Sequence, residues 1–281
     1  MTVDRCQLGD VELLRVGYAD VTVPAERVGL SAEQIRAVPW AEPLWAEGGE
    51  PRAGAAVWLI RAGDALIAVD PAQAADDILR DGPDADFHQQ AFAALLAEAG
   101  MPRESVTHAV MTHAEGVGMW AWRDGDTWTP FFPNAPLYVS RDELDALDAG
   151  VHPSVEYASP LHPGLAALRD QGVLRAVDSG EEIAPGVRVE VVGGHTPGHA
   201  VVYIESGGHT AIMLGHLTVS PLHLATGECP QQHPDPAVVE RWLDGVRSEN
   251  ALLIGPLWPA PGAGRWVDGA FVAMSTTPAS T

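Results

Sequence analysis

The chain has 281 residues, 46% of them hydrophobic, enough to bury the core of one large domain rather than two. Lys plus Arg total 16 against 38 for Asp plus Glu, a formal charge of −22 that repels a phosphate backbone and argues against a nucleic-acid partner. No apolar run long enough for a membrane span and no basic-then-apolar leader occurs, and Cys6 and Cys229 lack metal-type spacing, so a cytoplasmic protein with two unpaired thiols is expected.

In chain order, the first strong pattern is AAVWLIRAGDALIAVD over 55–70, two β-rich apolar runs separated by Ala-Gly-Asp, which predicts a hairpin ending in Asp70. Asp86 is placed to cap a helix through FHQQAFAALLAEAG, with Phe87, Phe92, Leu95 and Leu96 on one face and Gly100 as its stop. Val106 to Met111 reads as a short buried strand that delivers the loop Thr112-His113-Ala114-Glu115-Gly116-Val117-Gly118 at its C-terminal end. An aromatic-rich stretch follows, WAWRDGDTWTPFFPNAPLYVS, ending in the strand Leu137 to Val139 and a helix capped by Ser140.

The second half predicts a helix from Pro163 to Gln171, strands around Val187 to Val192, the loop GGHTPGH, and the strands VVYIE and TAIML joined by Ser206-Gly207-Gly208. Ala211 to Leu214 opens directly into Gly215-His216, and a helix from Pro236 to Arg247 precedes Leu252-Leu253-Ile254 and the turn-rich PLWPAPGAG. No repeat or low-complexity linker interrupts the sequence, so residues 1–281 are expected to form a single domain.

His113, His195 and His216 each follow an apolar strand-like run, and three strand-end loops of a two-sheet sandwich can converge on one cleft. By spacing alone, two readings stay open: a shared metal or catalytic site, or three local hydrogen-bonding groups.

The order VDP, VTHAVMTH, FFPNA, GGHTPGH, LGH and LIGPLWPAPGAG resembles the metallo-β-lactamase superfamily, in the branch that includes methyl parathion hydrolase and lactonase-like enzymes. The resemblance runs from about Val57 to Gly264 and implies an α/β architecture, the αββα sandwich of two mixed sheets flanked by helices, with the cleft at one edge. It also implies a first loop of the form T-H-x-H-x-D-H, which supplies ligands to two zinc ions. Aligned with two residues deleted after His113, this chain lacks the second histidine, has Glu115 in place of the aspartate and Gly116 in place of the last histidine. His195 retains the ligand position in GHTPGH; His216 replaces the aspartate that bridges the metals; Leu257 replaces a late histidine. A neutral imidazole does not bridge two zinc ions as a carboxylate does, so an intact dinuclear centre is not expected.

Three functions follow from that pattern. The leading one is an enzyme of specialised metabolism without an intact dinuclear centre, in which Glu115 with His113, His195 and His216 performs acid–base chemistry, with no metal or with one, on a small, largely apolar organic molecule; hydrolysis stays open beside rearrangement, cyclisation, dehydration and decarboxylation. The first alternative is a mononuclear zinc or iron hydrolase of an ester, lactone or thioester, with His113, His195 and His216 as metal ligands and Glu115 or water completing the set. Against it, the shortened loop is expected to displace His113 from the other two. The second alternative is an inactive small-molecule-binding protein. Trp120, Trp122, Trp128, Phe131 and Phe132 are expected, from the family's layout, to form the apolar wall of a substrate cleft. The resemblance assigns Asp70 to orienting the first ligand loop and His199 to a supporting place behind the site. Tyr157, His162, His223 and His233 have no motif support and are read as packing or surface residues.

Overall fold

Two long antiparallel strands, Thr2–Leu8 and Val11–Thr22, open a mixed nine-stranded sheet that the sequence pattern was expected to begin only at residue 55. Their signal is blurred because Leu13 faces one core and Leu14 the other, so the run LLRV lacks the apolar–polar alternation of a half-exposed strand. The computed structural model describes residues 2–71, 85–114, 120–151, 163–228, 233–275 and 277–278. In the first sheet the strands run in the order Leu174–Val177, Leu137–Ser140, His108–Val110, Ala65–Val69, Glu50–Ala62, Val11–Thr22, Thr2–Leu8 and Thr277–Pro278, with the ninth, Ala46–Glu47, pairing with Glu50–Ala62 off this path. The expected hairpin is present as Glu50–Ala62 and Ala65–Val69, with Trp58 opposite Val69.

A seven-stranded second sheet has the order Glu181–Ala184, Val187–Val191, Ala200–Ser206, His209–Met213, Leu252–Ile254, Ala263–Val267 and Ala270–Ala273. Alternate side chains sort the layers. Leu13, Trp58, Ile60, Ile67 and Val69 from the first sheet meet Val187, Val202, Ile204, Met213 and Ile254 from the second in one buried cluster between the sheets. Their immediate neighbours Leu14, Val57, Leu59, Leu66 and Ala68 turn outward and pack with Phe92 and Leu96 of the helix Ala85–Glu98 and with Leu165 and Leu168 of the helix Pro163–Asp170. On the other side, Val201, Tyr203, Ile212 and Leu253 pack with Val239, Leu243 and Val246 of the helix Pro236–Ser248. Helix, sheet, sheet, helix is the expected αββα order. Among the described residues no helix is long and apolar enough to cross a membrane.

The helix Ala85–Glu98 starts one residue before Asp86, which therefore lies in the first turn and not ahead of it. Ser140 caps Arg141–Asp148 by accepting from the Glu143 amide, and Asp235 caps Pro236–Ser248 by accepting from the Val238 amide. The segment between the first two long strands and the hairpin leaves the first sheet altogether. Val28, Ile35, Ala41 and Trp45 bury themselves in the outer cluster of the second sheet before the chain returns through Ala46–Glu47 to Glu50–Ala62. Buried Arg15 sits between Asp4 and Asp20 at 3.6 and 3.7 Å and donates to the Trp258 carbonyl at 3.4 Å. With the Gly54 amide donating to the Leu257 carbonyl at 2.8 Å, it ties the late loop to the first sheet.

Candidate metal centre

The strand His108–Val110 leads through Met111 to Thr112 and His113; Val187–Val191 ends two residues before Gly193, Gly194 and His195; His209–Met213 leads into the single turn Gly215–Leu217 that carries His216. These three strand ends lie at the same edge of the sandwich. One nitrogen from each of His113, His195 and His216 falls within 4.8 Å of the other two. The ring centroids of His113 stand 4.8 Å from His195 and 4.6 Å from His216. Although 4.8 Å is wider than ligand atoms around one zinc ion stand, the expected shortening of the loop does not keep His113 from the other two rings. The backbone explains why: the Ala200 amide donates to the Thr112 carbonyl at 2.8 Å, so the first loop is tied directly to the chain that follows GHTPGH.

Two of the three rings are oriented from behind, and the third residue is held through its backbone. The Thr112 hydroxyl donates to Asp70 Oδ2 at 2.6 Å and stands 3.0 Å from His113 Nδ1, so its oxygen is left to accept the Nδ1 proton. That tautomer directs the Nε2 lone pair of His113 away from Thr112, the arrangement by which a carboxylate raises the basicity of a ligating imidazole. Asp70 has a positive φ of 36°, a strained conformation for a residue with a Cβ, and a second bond from the Thr112 amide at 2.9 Å helps hold it there. Burial pushes the Asp70 carboxyl above its usual range, with His113 and the two Thr112 hydrogen bonds opposing the rise.

His195 Nδ1 lies 3.0 Å from Nδ1 of His233, a contact that needs one proton shared between the two rings and leaves His195 Nε2 to the cluster. His233 was expected to be an ordinary surface or packing residue; instead it is buried against a candidate ligand. Only its place three residues before the Asp235-Pro236 helix start could have signalled this, since the Asp235 amide bonds the Gly194 carbonyl at 3.0 Å and brings that helix end to the GGH loop. Burial, then the charge of His223, lowers the proton affinity of His233 to about 4, so it meets His195 as a neutral ring. The fully buried His199 accepts from the His216 amide at 3.1 Å and stacks on His113 with centroids 4.9 Å apart. Burial first, and then the neighbouring imidazoles, hold it well below the usual range and therefore neutral.

The donor set fits one metal ion. Zinc bonds imidazole at about 2.0–2.1 Å, which sets tetrahedral ligand atoms about 3.3 Å apart, so a spread of 4.8 Å requires ring rotations that close the widest pair by about 1.5 Å. Leu257 packs in the outer cluster of the second sheet and offers no donor, as its side chain dictates. Glu115 and Gly116 lie outside the described residues, as do Tyr157, His162 and Cys229.

Gly215 is required where it stands. Its φ is +54°, and a Cβ there would lie 2.5 Å from Thr112 Oγ1 and 2.7 Å from His199 Nε2. Gly215→Ala is expected to cost about 2 kcal/mol or more in a denaturant titration, through overpacking and a strained φ.

The aromatic residues are placed differently from the expected cleft wall. Phe131 and Phe132 are fully buried in the layer between the first sheet and its helices, with Phe131 5.3 Å from Phe92 and 5.0 Å from Phe132. A fully buried ring cannot line a cleft, so these two are core residues. Trp120 is buried in the same cluster, Trp122 lies beneath the Arg103 guanidinium at 4.3 Å, and Trp128 packs beside Gly164. The hairpin Ala121–Asp124 and Thr127–Pro130 folds onto the helices Ala85–Glu98 and Pro163–Asp170, which takes its tryptophans to that layer. A small, mostly apolar cavity lies between the sheets beside the centre, lined by Trp58, Val69, Asp70, Met213, Gly215, Ile254 and Pro256.

No family model and no curated protein matches the sequence. Solved structures do match in shape. A hydrolase of the β-lactamase superfamily, AbOPH, superposes with a TM-score of 0.74 at 19% identity over 98% of each chain. The dizinc quorum-quenching lactonase AidC, solved with a homoserine product, gives 0.71 at 19% identity over 100% of this chain and 98% of its own. A probable metal-dependent hydrolase from Staphylococcus aureus gives 0.69 at 16% identity, over 97% and 100%. The fold of this chain is therefore that of the metallo-β-lactamase superfamily, as its motif order implied. Among the described residues the one group that could hold a metal ion is His113, His195 and His216.

Proposed function

We propose that the chain is a mononuclear metal-dependent hydrolase that opens an ester, lactone or thioester in a small, largely apolar organic molecule. The convergence of His113, His195 and His216 within 4.8 Å carries this reading. Two of the three rings have Nδ1 engaged from behind by Thr112 or His233, which presents Nε2 to a common point. The shape match to a dizinc lactonase and to metal-dependent hydrolases supports the same chemistry. A zinc or iron ion held there supplies Lewis-acid activation of water near neutral pH. Asp70 and Thr112 fix the tautomer of His113, and His199 holds His216 through its backbone. From its sequence position two residues after His113, Glu115 is the proposed carboxylate of the site, as a ligand or as a base toward water. Cys6 is a free thiol, in keeping with a reducing compartment.

The Asp70–Thr112–His113 chain of hydrogen bonds favours one second reading. A carboxylate and hydroxyl behind an imidazole equip His113 as a general base without a metal. Elemental analysis of protein purified without chelator separates the two. About one equivalent of zinc or iron is expected; metal-free protein that neither binds added zinc nor gains activity from it sinks the hydrolase reading and leaves acid–base catalysis or simple ligand binding.

A further inference from the structure

We propose that Glu143 is the positioning residue of this centre: its carboxylate locks the His113 loop to the His195 loop through the Ala114 and Gly198 amides and the Thr196 hydroxyl. Glu143 is fully buried in the first turn of the helix Arg141–Asp148. One of its oxygens, Oε1, accepts from the Ala114 amide at 2.6 Å, next to His113. The other, Oε2, accepts from the Thr196 hydroxyl at 2.7 Å and the Gly198 amide at 2.9 Å, on the loop of His195. A buried carboxylate is costly unless its lone pairs are satisfied, and these three donors come from two segments about 80 residues apart in sequence, so the bonds exist only while both loops keep this spacing. The neighbouring Ser140 hydroxyl donates to the Gly198 carbonyl at 2.5 Å, and a Cβ at Gly198 would fall on the Glu143 backbone nitrogen. Helix start and ligand loop are therefore in direct contact, with no slack between them.

The chemistry of the side chain explains why a carboxylate is needed. All three partners are donors, so Glu143→Gln turns an NH2 group toward an N–H or O–H and breaks one side of the lock without changing its volume. Thr196→Val removes one donor and leaves the carboxylate in place. Leu96→Ala is the control: it opens a cavity in the helical layer and removes none of these three hydrogen bonds.

The test is cobalt(II) titration of the full chain, followed by its visible absorption band, together with amide hydrogen exchange; the cobalt arm rests on the mononuclear reading above. Glu143→Gln is expected to melt cooperatively, to bind cobalt at least about 10-fold more weakly and to shift the band, whereas Leu96→Ala melts lower with wild-type affinity and band. Equal affinity and an unchanged band in Glu143→Gln overturn the proposal. If Glu143→Gln does not fold, Thr196→Val is read in its place, with the same two outcomes at a few-fold loss. If the wild-type chain takes up no cobalt, the metal reading fails separately and exchange decides. Faster exchange at Ala114 or Gly198 in Glu143→Gln, absent from Leu96→Ala, upholds the lock; protection unchanged at both amides refutes it.

Discussion

Zinc titrated into metal-free protein is expected to bind once, and His195→Ala is expected to weaken that binding on the order of 100-fold. Three imidazoles sharing a binding free energy of roughly 10 kcal/mol each contribute about a third of it, and about 3 kcal/mol is roughly two decades in affinity. His113→Ala has the same expected size, because His113 is the ring most firmly fixed from behind, through Thr112 to Asp70. His233→Ala removes only the partner of His195 Nδ1 and is expected to cost about 10-fold. Competition against a chromophoric chelator measures all three. Undiminished affinity in His195→Ala would remove it from the ligand set, and an effect in His233→Ala as large as in His195→Ala would make His233 a ligand in its own right.

Protonation of one buried histidine outside the centre is expected to contribute about 3 kcal/mol to acid destabilisation between about pH 6.5 and pH 4. His223 is fully enclosed; its Nε2 lies 2.7 Å from the Val28 carbonyl and its Nδ1 3.0 Å from the Thr218 hydroxyl. Burial lowers its proton affinity to about 4, with the Val28 bond opposing, whereas the unfolded chain titrates near 6.5. A folded value below the unfolded one means that the unfolded chain binds more protons across that window. Stability is therefore full above about pH 6.5, falls as pH drops, and the loss is complete near pH 4. Denaturant titrations at pH 7 and pH 4.5 should show the loss in the wild-type chain and a clearly smaller one in His223→Gln. An identical pH slope in the variant would assign the acid sensitivity elsewhere.

Much of the fold was legible because its punctuation is local. Gly63-Asp64 between two apolar runs, Ser140 before a helix and Asp235-Pro236 before another each fix an element boundary from a few neighbouring residues. The three converging histidines were legible for a similar reason, since each follows directly on a strand. What stayed hidden depends on contacts distant in sequence. Ser140 and Glu143 spell a capping box, which directs attention to the helix start, yet the carboxylate of Glu143 reaches forward to Ala114, Thr196 and Gly198. His233 becomes part of the centre only once the helix Pro236–Ser248 is docked beside Gly194. The aromatic stretch was misplaced because rings in a core and rings around a cleft look alike in sequence; the packing of its hairpin on two helices decides for Phe131 and Phe132.

The path of residues 22 to 50 has a mechanical consequence. Val11–Thr22 and Glu50–Ala62 pair in the first sheet, yet the chain between them is buried on the far side of the second, fastened there by Ile35, Trp45 and the Val28 carbonyl on His223. This crossing is made on the histidine side, where Gly54 reaches Leu257 and Arg15 reaches Trp258. The sandwich is thus stitched shut along the edge that holds its chemistry, and its layers cannot swing apart there as jaws. Room for a bulkier molecule has to come without parting the layers, so variants selected for a new substrate should leave the paired strands of both sheets untouched.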